Sequence, residues 1–183
     1  MTKIHFIALI SRDDRPLYIQ SLDQVLGIEG NPQNPQNTEN TQKSDPETND
    51  SDLSGVLPLE ANTFLKYNFL SHMALDVFAS PMSLHLREQQ GASDGVLLLF
   101  IQDDVTVYGM ETNNGLKLVV GASTEIVFRE KLKNLFLQIH RAYLKTVCNP
   151  FTDVLQDGNY DKMLNTDVFD KRIKKIVREW DSE

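Results

Sequence analysis

Cysteine is nearly absent: Cys148 stands alone among 183 residues. No intramolecular disulfide can form, which suits a reducing compartment, the cytosol. Positive charge is scarce, with 18 Lys and Arg against 26 Asp and Glu, for a net charge of -8. Phosphate binding needs clustered cations, so nucleic acid is excluded as a partner for the domain as a whole. Long hydrophobic runs are missing, and nothing approaches the roughly 20 apolar residues of a bilayer-spanning helix. The N-terminal MTKIHFIALISRDDRP has a short apolar run cut off by charge and no small-residue cleavage site, so it is not expected to be a signal peptide. If the protein works at a membrane, a partner brings it there.

Catalytic patterns are missing too. His5, His72, His85 and His140 never stand three or four residues apart, so helical metal-ligand spacing is absent. Each is expected to be an ordinary surface or half-buried histidine. Cys148 is expected to be a buried small hydrophobe rather than a nucleophile. Ser11, Ser71, Ser83 and Ser123 lack the G-x-S-x-G context of a nucleophile elbow. Asp13-Asp14 and Asp103-Asp104 are adjacent carboxylates, whose side chains would point to opposite faces of a strand, so they suit turns better than a catalytic dyad. There is no Walker motif and no G-x-G-x-x-G. Gly109, Gly115 and Gly121 are explained by tight turns or close backbone approach. No catalytic, cofactor-binding or metal-binding residue is nominated, and no cofactor is expected.

What is present is a regular alternation of elements. Ile4–Ile10 reads as a buried strand, Asp13-Asp14-Arg15-Pro16 as a turn, and Leu17–Ile19 as the returning strand. Residues 29–55 are rich in Asn, Gln, Pro, Ser, Thr and acids. With so little to bury they are expected to form a disordered low-complexity insertion, either a tolerated loop or a binding or modification segment. A helix is expected from Ala61 to Glu88, capped by Asn62 or Thr63 and ended or kinked by Pro81. Val96–Gln102, Val105–Thr112 and Leu116–Gly121 read as a three-stranded meander. Asn113-Asn114-Gly115 contains the Asn-Gly pair of a type I′ turn. A helix over Thr124–Val147, capped by Thr124, buries Phe128, Leu132, Leu135, Ile139, Ala142 and Tyr143. A last helix over Asp167–Trp180 buries Phe169, Ile173, Ile176, Val177 and Trp180, and its Lys171, Arg172, Lys174, Lys175 and Arg178 fill the other faces. Those cations suggest either a solvated face or contact with acidic lipid or an acidic partner. The order ββ-α-βββ-α-α implies an α+β domain with a five-stranded antiparallel sheet and helices on its faces. One such domain is expected over 1–183.

The first helix has two apolar faces. Tyr67, Leu70, Ala74, Val77 and Phe78 can pack on the sheet. Leu65, Phe69 and Met73, with His72 and Asp76 beside them, form a second face, either covered by the chain itself or left for a partner. Asp76 interrupts the apolar MALDVF and gains nothing there from helix propensity or the N-terminal dipole. It either points to water or anchors a partner's cation or N–H.

Five pieces in order resemble the sedlin-related subunits of the TRAPP (trafficking protein particle) complex: FIALISRDDRPLYI, LKYNFLSHMALDVF with its Leu75-Asp76 pair, VYGMETNNGLKLVVG, YLKTVCNPF and FDKRIKKIVREW. Cys148-Asn149-Pro150 and Gly115-Leu116-Lys117 are similar to the subunit 2-like branch. The resemblance implies a longin (profilin-like) fold and a non-catalytic adaptor or assembly subunit of a tethering complex in ER–Golgi and intra-Golgi transport. That subunit would serve the Golgi form, which promotes nucleotide exchange on Rab GTPases. It implies contacts with a neighbouring small subunit and a large Golgi-form subunit. A Rab GTPase would be touched only indirectly. Location would be cytoplasmic and peripheral at the cis- and trans-Golgi and the ER. The family's helix aspartate, associated with partner contacts, matches Asp76. Alternatives are a sedlin-type core subunit, a longin-type coat or SNARE module binding cargo, and an enzyme of unrecognised type.

Overall fold

The computed structural model describes residues 3–23, 59–91, 95–123, 129–149 and 161–182. The insertion expected at 29–55, the expected cap Thr124 and the expected core residue Phe128 lie outside them. Five antiparallel strands, β1 (Ile4–Ile10), β2 (Pro16–Ser21), β3 (Val96–Gln102), β4 (Val105–Glu111) and β5 (Lys117–Ser123), form one sheet in the order β2-β1-β5-β4-β3. This is the expected longin-type α+β architecture. β1 pairs with both β2 and β5, with Ala8 opposite Ile19 on one side and Val119 on the other. Its apolar run is continuous because both sheet faces are covered.

Alternation along the strands divides the interior into two cores. Phe6, Ala8, Ile10, Leu97, Leu99, Val105, Val107 and Val119 face one side, where they meet Tyr67, Leu70, Ala74 and Phe78 of helix α1 (Leu59–Ala79). Ile7, Leu9, Leu118 and Val120 face the other, where they meet helices α3 (Arg129–Val147), α4 (Asp161–Leu164) and α5 (Asp167–Ser182). The result is three layers, with the sheet in the middle. Gly121 and Gly109 let the α1 layer sit close. A Cβ on Gly121 would lie 2.2 Å from the Phe6 ring, and one on Gly109 2.5 Å from Phe78. Phe6 lies over Gly121 and stacks on Tyr67 of α1, with centroids 4.9 Å apart.

The turns depart from expectation in an informative way. The β4–β5 hairpin is not a two-residue type I′ turn, since only Gly115 takes positive φ, at 81°. The Gly115 N–H donates to Thr112 O, and Thr112 and Leu116 close the ladder. The Thr112 hydroxyl also donates to Leu116 O and accepts from its N–H, fixing a three-residue loop with the left-handed residue last. The β1–β2 loop repeats this plan: Ser11 N–H donates to Arg15 O, and Asp14 takes φ 59°. The two loops meet, with Arg12 packed on Gly115 and Lys117 paired to Asp14.

The helix expected over 61–88 is two helices. α1 ends at Ala79, and α2 (Met82–Gln89) starts after Pro81. Pro81 lacks an N–H and disfavours helical backbone before it, so it fits at a helix start, where that N–H would be orphaned. Asn62 and Thr63 are not caps, because α1 already begins at Leu59. Phe136 is fully buried on α3 beside the expected Leu132, Leu135, Ile139 and Ala142. α4 was not expected, yet its Leu164 is fully buried. Cys148 is exposed rather than buried, because it falls just beyond the last turn of α3.

Three polar contacts lock the layers. Gln90, just after α2, presents its amide to the edge strand β3: Nε2 donates to Leu98 O at 2.9 Å, and Leu98 N–H donates to Oε1 at 2.8 Å. Arg129 of α3 donates to Gln90 O and Val96 O. On β2 the Tyr18 hydroxyl donates to Asp170 of α5 at 2.8 Å, while its ring meets Phe169 edge-on at 4.8 Å. Burial first, then Asp170, pushes the Tyr18 phenol above its usual range, so it stays a neutral donor.

Candidate partner interface

α1 covers the sheet with one side and shows the other to solvent. At about 100° per residue, Leu65, Phe69, His72 and Asp76 fall within one narrow stripe, opposite Tyr67, Leu70, Ala74 and Phe78. The structure brings these four together on the outer surface. Leu65 is 53% exposed and Phe69 62%, and His72 and Asp76 are exposed. Met73 is different: it is half-buried and packs against the α1–sheet core, so it belongs to the inner margin of the stripe. Phe64, 44% exposed, flanks the stripe on the side away from Met73. Phe64 was missed because the second face was traced at i, i+4 spacing from Leu65. The signal was an adjacent Phe-Leu pair, which cannot both be buried on one narrow face.

The base of this surface is held firmly. Tyr67 donates to the Asp23 carboxylate, which also takes His5 Nδ1 at 3.0 Å and Lys3 Nζ at 2.7 Å. That cluster joins α1 to the ends of β1 and β2. At the other margin, Lys66 pairs with Asp103 of the β3–β4 loop at 3.4 Å. The helix is packed on the sheet and tied at its inner side, so its exposed aromatic residues stand on a helix rather than a loop.

Asp76 has an electrostatic peculiarity. It lies in the last turn of α1, which carries no basic residue. The carbonyl end of a helix is partially negative, so a carboxylate there is unfavourable for folding. An exposed apolar stripe ending in such an acid can offer a protein contact apolar area for desolvation and one charge for orientation.

The histidines are scattered. His5 serves the Asp23 cluster, His72 and His85 are exposed, and His140 is half-buried with Nε2 unpartnered among the described residues. Burial lowers the His140 pKa from its usual value. No group of three or more His, Cys, Asp or Glu among the described residues could hold a metal ion. None of their helices is long and apolar enough to cross a membrane.

Comparison with known proteins agrees with the architecture. The trafficking protein particle complex subunit 2-like proteins of Rattus norvegicus and Mus musculus are each 31% identical over 110 residues, covering 56% of this chain and 78% of theirs. The Xenopus tropicalis protein of the same name is 29% identical over 110 residues. The model of the Sedlin family matches residues 9–179, nearly the whole chain and most of both cores. Sedlin-family proteins are non-catalytic scaffolds. The chain, with its longin-type sheet and its exposed α1 stripe, belongs to the Sedlin family.

Proposed function

We propose that this chain is a small non-catalytic subunit of a TRAPP-type tethering complex and docks a neighbouring subunit through the outer face of α1. The observation that carries the reading is the stripe of Leu65, Phe69, His72 and Asp76, rigidly held and exposed, with Phe64 beside it and Met73 at its margin. Large apolar side chains on a well-anchored helix have no folding reason to face water. Buried in a contact, the exposed half or so of each would contribute about 1 kcal/mol before the cost of association. The family match spans 9–179, whereas the 2-like relatives align over 56% of the chain. A sedlin-type core subunit is therefore the better-supported form. A second reading, assembly of the Golgi form that promotes Rab nucleotide exchange, is what the sequence resemblance to the 2-like branch implies. Either role places the chain in vesicle transport, cytoplasmic and peripheral at ER and Golgi membranes.

The test is Asp76→Tyr in the full chain, followed by affinity purification from native cells. The variant keeps its circular dichroism and thermal midpoint but loses co-purifying tethering subunits. Undiminished recovery of the same subunits sinks the docking site. Recovery of coat or SNARE chains instead sinks the tethering assignment.

A further inference from the structure

The layer opposite α1 carries charge of the other sign from the chain as a whole. α3 has five cations, Arg129, Lys131, Lys133, Arg141 and Lys145, and one acid, Glu130. Its outer side runs Lys133, Leu137, Arg141, Leu144, a stripe about 80° wide at helical spacing, with Lys145 on its flank. The two leucines face water, at 42% and 36% exposure. Lys133, Arg141 and Lys145 are exposed and have no ion-pair partner among the described residues. α5 lies antiparallel beside α3, since Arg172 donates to Thr146 and Trp180 donates to Lys131 O. It adds exposed Lys171, Lys174, Lys175 and Arg178 against exposed Asp167, Glu179 and Asp181, and Lys175 pairs with Glu179, so α3 carries most of the positive excess.

Exposed leucines alternating with unpaired cations, along roughly 18 Å of one straight helix, suit a planar anionic surface. Solvation alone explains the lysines but not the leucines set between them. We propose that the outer face of α3, flanked by the lysines of α5, makes direct contact with an anionic lipid surface. The cations meet headgroup phosphates and carboxylates, while Leu137 and Leu144 enter the headgroup layer. α1 lies on the other side of the sheet, so this contact leaves the proposed docking stripe free and stands independently of it.

The experiment is co-sedimentation of the full chain with phosphatidylserine-containing vesicles and with pure phosphatidylcholine vesicles. Binding appears only with the anionic vesicles and falls as salt rises. The triple variant K133Q, R141Q, K145Q weakens it by on the order of a hundredfold, about fivefold per cation near a membrane surface. The pair L137S, L144S weakens binding without changing its salt slope, and both variants keep the wild-type circular dichroism. Full retention of vesicle binding by the triple variant overturns the proposal. So does capture of the chain by a polyglutamate peptide with no vesicle binding, which would make the face a site for acidic protein.

Discussion

At Asp76 the proposed docking role and the folding preference oppose each other. In the last turn of α1 its carboxylate faces the partially negative carbonyl end of the helix. Asp76→Asn removes that repulsion and raises stability by about 0.3–1 kcal/mol, seen as a small rise in thermal midpoint. The same variant weakens partner recovery, a combination that a purely structural aspartate could not give. Gly121 is the reverse case, a residue kept for packing. A Cβ there would meet the Phe6 ring at 2.2 Å, and Phe6 is pinned by Tyr67 above it. Gly121→Ala is expected to lose about 1–3 kcal/mol in urea unfolding, and Phe6→Leu in the same chain recovers part of the loss. His140 adds a pH dependence. Burial holds its folded pKa below the usual 6.5, so the unfolded chain takes up the proton first. The stabilisation is complete above the unfolded value and is lost as pH falls through the folded one. Unfolding midpoints measured from neutral to mildly acidic pH decline in the parent and decline less in His140→Leu.

At the scale of elements, the strands were legible because a sheet covered on both faces leaves apolar runs that little else explains. What the sequence obscured was side-chain interference with backbone rules. Asn114-Gly115 promised a two-residue turn, but the Thr112 hydroxyl takes both polar groups of Leu116 and lengthens the loop to three. Pro81 was recognised as a breaker, yet the helix resumes at Met82 because proline is tolerated at a helix start. α4 spans only Asp161–Leu164, too short to show periodicity. Phe136 was overlooked because the α3 stripe was traced through Leu135 alone, although both neighbours are buried. The Gln90 clamp depends on a contact across the edge of β3 that no local pattern announces. Its amide supplies both a donor and an acceptor to Leu98, standing where a sixth strand would. Gln90→Met keeps the volume and removes both bonds. It is expected to cost about 2 kcal/mol, near 1 for each hydrogen bond, and to speed exchange of the Leu98 amide proton.

On the whole-molecule scale, the candidate docking surface was legible as a second apolar face on a helix that needed only one. Leu65, Phe69, His72 and Asp76 could be grouped by spacing alone. That Met73 turns inward could not, since it sits at the margin where small rotations of the helix decide burial. The basic layer was legible only in α5; its stronger half, on α3, emerged once Leu137 and Leu144 proved exposed. The sheet separates the two surfaces, with α1 on one core and α3 and α5 on the other. Substitutions on them share no contacts, so their effects should add. Leu65→Ser with Phe69→Ser removes exposed side chains and should change stability by no more than about 0.5 kcal/mol. Combined with the α3 triple variant, the pair should leave stability equal to the sum of the separate changes in urea unfolding. Subunit recovery should follow only the α1 substitutions and vesicle binding only those on α3. A combined variant that departs from additivity, or α1 substitutions that abolish vesicle binding, would mean the two faces communicate through the sheet.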